Sequence, residues 1–204
     1  MNFDVGFWRK RAVKAALDRQ EDRRQTWRGH RMIKFPGDCF AMQQLLVRTK
    51  PQVLVELGTQ YGGSALFFSM FADAVVTVDL DQLPGRPEDP RITYVAGDSG
   101  ARETFDKVKA LVGGRSCAVV IDSNHHAEHV DKELELFAPL VSPGQPLIME
   151  DTHVDVLNFR KFREGGGPLR SIGKYMPKHP ELELVPGIEP YVTTNFFGYW
   201  MKKG

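Results

Sequence analysis

Short, almost wholly apolar runs recur along this chain. Each closes on a glycine or an acid and gives way to a longer stretch of helical period. The runs are VLVEL (53–57), AVVTVDL (74–80), RITYVAG (91–97), CAVVID (117–122) and QPLIME (145–150). Between them GGSALFFSMFA, ARETFDKVKALV and HAEHVDKELELFAPLV read as helices. Fully apolar strands separated by helices predict a parallel sheet covered on both faces, an α/β fold. Late in the chain LELV (182–185) and TNFFGYWMK (194–202) follow closely and predict an antiparallel pair at the sheet edge. Ahead of the alternation, residues 7–28 read as a basic amphipathic helix with Phe7, Trp8, Ala12, Ala15, Ala16 and Trp27 on or near one face. KFPGD (34–38) breaks it, and Asp38 is placed to cap a helix over 39–49 that Lys50-Pro51 ends.

Composition changes this picture little. A chain of 204 residues with 42% hydrophobic and 26% charged residues suits one globular domain. A net charge of +1 gives no overall pull toward nucleic acid or membrane, and none is expected as a partner. Charge is uneven, since residues 1–34 hold ten Lys or Arg against four Asp or Glu. A solvated helix face explains that, with an anionic contact as the alternative. The basic, Trp-containing helix also suggests packing against a second copy, hence a homo-oligomer. Two cysteines, Cys39 and Cys117, give no disulfide framework and fit a reducing compartment. The first residues lack the apolar run of a signal peptide. ALFFSMFADAVV, interrupted by Ser69 and Asp73, is too short to span a bilayer. A cytoplasmic location is the expectation.

Ligands of parallel α/β sheets bind at the carboxyl ends of the strands. Glu56, Asp79, Asp98, Asp122, Glu150 and Asp151 all fall at or just past such ends, so one crevice gathers six acids. VELGTQYGGS (55–64) is a strand, a glycine turn and a helix start. Gly58 permits positive φ or close approach, and Gly62 and Gly63 with Thr59 and Ser64 open the helix toward a ligand. The spacing E-x-G-x-x-x-G-G departs from the dinucleotide fingerprint, and Glu56 disfavours a phosphate while suiting a cationic amine. Asp79, 21 residues after Gly58, is placed for ribose hydroxyls, and Asp98 with Ser99 for an adenine amino group, with Asp122 also counted among the cofactor-binding residues. Adenine, ribose, a cationic amine and no phosphate describe S-adenosylmethionine.

On the other side, Asp122, Glu150 and Asp151 would repel one another unless a cation neutralised them. A hard, oxygen-seeking Mg²⁺ fits them; with no cysteine in this set and no H-E-x-x-H, Zn²⁺ fits less well. His125, His126 and His129 follow Asp122 closely. A neutral imidazole can take a proton from a hydroxyl, and His125 is the preferred base, ahead of His126 and His153. The catalytic candidates are therefore His125, His126 and Asp122.

At these residues the chain resembles the cephalosporin hydroxylase/rhamnosyl O-methyltransferase family of class I S-adenosylmethionine-dependent methyltransferases. The resemblance lies in KPQVLVELGTQYGGSALFF, in VVIDSNHHAEHVDKELELFAPLVSPGQPLIMEDT, and in GGGPLRSIGKYMPKHPELEL with TTNFFGYWMKK. It runs from about Trp27 to the end. It implies a Rossmann-like seven-stranded sheet with a reversed last strand, Mg²⁺ on Asp122, Glu150 and Asp151, and O-methyl transfer to a hydroxylated small molecule, such as a sugar or specialised metabolite. Residues 1–35 are then an N-terminal helical extension and 36–204 the methyltransferase domain. The family often reads D-S-N-H-x-H, whereas this chain has His125, His126 and Ala127. Two rivals remain: a family member performing another reaction on the same cofactor fold, and a non-catalytic binding subunit.

Overall fold

The computed structural model describes residues 4–19 and 25–204. It begins with helix α1 (Phe7–Arg19), a hairpin of β1 (Thr26–Trp27) and β2 (His30–Arg31), and helix α2 (Pro36–Thr49). The α/β alternation follows: β3 (Val53–Leu57), α3 (Gly63–Phe68), β4 (Ala74–Asp79), β5 (Ile92–Ala96), α4 (Arg102–Val112), β6 (Cys117–Ile121), α5 (Ala127–Phe137) and β7 (Pro146–Met149). Short α6 (His153–Val156), α7 (Pro168–Tyr175), β8 (Leu182–Leu184) and β9 (Tyr199–Lys202) complete it.

The main sheet has seven strands in the order β5-β4-β3-β6-β7-β9-β8. β3 to β7 run parallel, while β9 inserts antiparallel between β7 and β8. Strand order reverses between β3 and β6, both wholly buried. One face packs under α4, α5 and α7 around Val119, Leu134, Phe137 and Leu147. The other packs under α2 and α3 around Leu45, Leu54, Phe68 and Ile148. Predicted strands and helices of the α/β alternation all form, within a residue or two at most ends. Among the described residues no helix is long and apolar enough to cross a membrane.

The N-terminal reading needs correction. Residues 20–24 lie outside the described residues, but 25–31 are not helical. Trp27 sits in the hairpin and packs edge-on against Phe67. Arg28 and Gly29 both have positive φ (49° and 86°), the two-residue turn that matches strand twist. The inward face of α1 is also different: Val5 and Val13 pack on Phe196, whereas Phe7 and Trp8 are exposed. Arg9 secures the helix by donating to Glu189 and to the Pro190 carbonyl.

Asp38 is not a cap. Phe35 holds the cap position and Pro36 opens α2, with its φ already set for the helix. Asp38 turns inward and accepts from the Thr193 and Thr194 hydroxyls, the Thr194 amide and the Tyr199 hydroxyl. It thereby fastens α2 to the loop before β9. Residues 164–168 (EGGGP), leading into α7, are held as well: Asp155 accepts from the Gly167 and Leu169 amides.

Candidate active site

A cavity of about 540 Å³ opens at the carboxyl edge of β3 to β6, where the strand order reverses. Gly58, Asp79, Asp98, Ser99, Asp122, His125 and Asp151 all line it. A parallel sheet ends its strands on one edge, so acids remote in sequence converge there.

Gly58 fixes the meeting of β3 and β6. Its φ is +103°, and a Cβ there would lie 2.2 Å from the Asp122 carbonyl oxygen. Gly63 serves a different approach, because a Cβ would come within 2.2 Å of the Arg31 carbonyl. The start of α3 is thus covered by the end of the hairpin and Met32 after it. Thr59, Gly63 and Ser64 line only a small side crevice, and Gly62 (φ +79°) faces Pro87 and the Tyr94 hydroxyl.

The Asp79 carboxylate accepts from the Gln60 amide (2.6 Å) and the Asp81 amide (3.1 Å) at the cavity wall. Asp98 accepts from the Gly100 amide, and Ser99 Oγ lies 3.0 Å from His129 Nε2. His129, which the sequence reading had not assigned, lines the cavity too. Glu133, one helical turn on, accepts from Ser123 and faces the same imidazole nitrogen at 3.4 Å, raising the His129 pKa.

Glu56 lies beneath the cavity rather than in its wall. It is fully buried and accepts from the Thr77 hydroxyl. Burial raises its pKa to about 7, against the charge of Lys34 and the hydroxyls of Ser64 and Thr77. The folded chain therefore holds that proton more tightly than the unfolded chain. Stability from this group is complete below the ordinary glutamate range and is lost as pH rises toward 7. We expect Glu56→Gln to flatten the fall in unfolding free energy of the apoprotein between about pH 4.5 and 7, by on the order of 3 kcal/mol. Urea titrations at several pH values measure this. Parallel wild-type and variant curves would refute it.

The acid end of the cavity is tightly knit. His125 Nε2 lies 3.1 Å from Asp151 Oδ2, and His153 Nδ1 lies 3.5 Å from Asp151 Oδ1. Burial works to lower the His125 pKa, but Asp151, Asp122 and Glu150 outweigh it and raise it to about 9. Burial opposes ionisation of Asp151 too, yet the His125 hydrogen bond and charge hold its pKa below the usual carboxylate range. Burial pushes Asp122 and Glu150 upward, each adding to or sharing the repulsion of neighbouring acids. Asp151 has positive φ (55°), and its amide donates to Asn195 Oδ1 at 2.8 Å. A non-glycine residue in that region stores strain, which at a ligand-facing carboxylate points to function.

Lys34 was not anticipated. Its ammonium is buried between two acids, donating to Asp122 Oδ2 and to Glu150 Oε1 (2.6 Å). The sequence-predicted trio of Asp122, Glu150 and Asp151 is therefore adjacent but unequally disposed. Single donor atoms of Asp122, His125 and Asp151 all lie within 4.8 Å of one another, while Glu150 turns to Lys34. The Asp122 and Asp151 carboxylates in that space fit a hard divalent ion, with the His125 imidazole beside them. His126 is elsewhere: it starts α5 and packs at 4.9 Å on the Phe162 ring, outside the cavity wall.

A second cavity, about 220 Å³, meets the acids from the other side. Leu17, Met32, Phe35 and His153 line it, and Ile33, Asp122 and Asp151 are shared with the first.

The sheet order, the reversed β9 and the cavity at the strand ends define a class I, Rossmann-like methyltransferase fold. A model of the family described as Rhamnosyl O-methyltransferase/CmcI matches residues 20–199, so the chain belongs to that family and is an enzyme of its O-methyltransferase class. A rhamnosyl O-methyltransferase of Mycobacterium leprae is 29% identical over 169 residues, covering 76% of this chain and 72% of the relative. A CmcI structure with Mg and SAM aligns over all of this chain and 87% of its own, at TM-score 0.68 and 19% identity. The MycE methyltransferase from the mycinamycin biosynthetic pathway, in complex with Mg and SAH, aligns at TM-score 0.59 and 19% identity. That match covers 79% of this chain, which spans about half of MycE (48%).

Proposed function

We propose that this chain transfers a methyl group from S-adenosylmethionine to a hydroxyl of a sugar-bearing small molecule, with Mg²⁺ at the acid cluster. The observation that carries the reading is the seam between the two cavities. Asp122 and Asp151 stand in both, with His125 and its Asp151 partner at the junction. The larger cavity is sized and lined for a nucleoside. Asp79 would take the ribose hydroxyls, and Asp98 with Ser99 the adenine edge. Gly58 and Thr59, with the helix opening at Gly62, Gly63 and Ser64, would shape the backbone beneath them. Glu56, deeper, would supply negative charge below the cationic end of the cofactor.

Asp122 and Asp151, with Glu150 as the third acid, are the residues to hold Mg²⁺. When bound, that ion supplies a Lewis acid that lowers a hydroxyl pKa and fixes its direction. His125, its Nε2 engaged by Asp151, is the imidazole that would receive the hydroxyl proton. The acids around His125 raise its pKa, which favours its keeping a proton once accepted. The acceptor oxygen gains the methyl carbon, the carbon–sulfur bond breaks, and the proton leaves to His125. Positioning across the seam supplies much of the acceleration.

In this reading the N-terminal extension, residues 1–35, contributes Leu17, Gln25 and Met32 to Phe35 to the wall of the acceptor side. The small second cavity suits one ring rather than an extended group. The M. leprae relative carries the name of a rhamnosyl-directed enzyme, which supports a sugar. A panel of rhamnosides, other glycosides and catechols, assayed with labelled S-adenosylmethionine, tests the acceptor class. Preference for a glycoside is expected; turnover confined to catechols would overturn the sugar assignment. A homo-oligomer in a cytoplasmic setting completes the proposal, and light scattering reads the former.

A further inference from the structure

We propose that Lys34 is the resident counter-cation of the acid cluster. It is a positioning residue that holds Asp122 and Glu150 together in the metal-free protein and yields Asp122 to a divalent ion. The inference rests on the metal reading above.

Lys34 is 4% exposed, and its ammonium donates to both Asp122 and Glu150. Burying an ammonium costs several kcal/mol unless it is paired, and burying two adjacent carboxylates without a cation is as unfavourable. Each therefore explains the other. The ring of Phe68, 5.8 Å from the ammonium, closes the apolar side. Nearby acids are Glu56, Asp122, Glu150 and Asp151, and the imidazoles of His125 and His153 face Asp151. Lys34 neutralises part of the cluster.

The geometry also says which acid changes hands. Asp122 is shared between Lys34 and the donor cluster with His125 and Asp151, whereas Glu150 faces Lys34. A cation arriving at Asp122 meets the ammonium as a like charge at close range. Lys34 therefore weakens metal binding while it stabilises the metal-free fold. Because Lys34 also walls the second cavity with Met32, Ile33 and Phe35, the acceptor side is anchored to the acids whether or not metal is bound.

The test uses the full chain, stripped with EDTA and titrated with Mn²⁺ alone, without cofactor or acceptor. Electron paramagnetic resonance reads free Mn²⁺, and thermal melts read stability. Lys34→Met is expected to bind Mn²⁺ at least about tenfold more tightly than wild type, roughly 1.4 kcal/mol. Its metal-free melting temperature is expected to fall by several degrees, and Mn²⁺ is expected to raise it by more than in wild type. Lys34→Gln, neutral but able to hydrogen-bond, is read in the same titration should the methionine variant not fold without metal. Unchanged or weaker Mn²⁺ affinity overturns the proposal, as does failure of both variants to fold with Mn²⁺ present. A wild-type chain that binds no Mn²⁺ defeats the metal reading itself. Binding by wild type that Lys34→Met leaves unchanged defeats only the role of Lys34.

Discussion

Asp122→Asn is expected to lower methyl transfer by roughly 10²–10³-fold, with little change in affinity for S-adenosylhomocysteine. The asparagine keeps the shape of the side chain and the backbone carbonyl that Gly58 packs against. It loses the negative charge that stands in both cavities and faces His125 and Asp151. On the proposed assignment, the nucleoside end would draw on Asp79, Asp98 and Ser99, which the substitution does not touch. The loss should therefore appear in kcat and in the Mg²⁺ concentration needed for half-activity. Single-turnover assays over a range of Mg²⁺, beside calorimetry with S-adenosylhomocysteine, separate the two. A variant with wild-type rate and wild-type sensitivity to EDTA would remove Asp122 from the metal site.

The largest effect on stability is expected at Asp38, away from the reaction. Asp38→Ala should cost about 3–5 kcal/mol, read as a shift in the urea midpoint at constant slope. Asp38 is fully buried and accepts from the Thr194 amide (2.8 Å), the Thr194 hydroxyl (2.7 Å), the Tyr199 hydroxyl (2.8 Å) and the Thr193 hydroxyl. Truncation leaves those donors in an apolar layer, each with its desolvation unmatched. Burial raises the Asp38 pKa and the hydrogen bonds pull it back, so the carboxylate depends on the network as the network depends on it. The loop it fastens carries Asn195, whose side chain holds the Asp151 amide, and Thr194, whose carbonyl accepts from the His153 amide. A loss below about 1 kcal/mol would mean that the loop finds other partners.

How much of this was legible in the sequence depends on what each residue's position is owed to. Asp122, Glu150 and Asp151 could be read because parallel strands deliver their last residues to one edge, and strand ends are visible as apolar runs meeting a polar residue. Asp79, Asp98 and Gly58 follow from the same rule. The orientation of Glu56 does not: β3 is buried on both faces, so alternation carries no signal about which way its one acid points. Lys34 lies 88 and 116 residues from its two partners, and nothing in KFPGD distinguishes an inward lysine from a solvated one. Asp38 has the spacing of a cap, and only tertiary contacts turn it inward. The Arg28-Gly29 turn escaped because the usual asparagine or aspartate is replaced by arginine, and a helical reading of the basic run absorbed it. His129 was noted, but its place beside Ser99 depends on how α5 crosses the third and fourth parallel strand ends.

The proposed function joins a methyl donor to a hydroxyl at the seam of the two cavities, with a divalent ion at the acid cluster. The most direct measurement is transfer of labelled methyl from S-adenosylmethionine to a glycoside acceptor, first after EDTA treatment and then after Mg²⁺ is restored. Transfer is expected that EDTA abolishes and Mg²⁺ recovers, with the label on an acceptor oxygen. Transfer that proceeds equally in EDTA, or firm cofactor binding with no methylation of any hydroxylated acceptor, would contradict it.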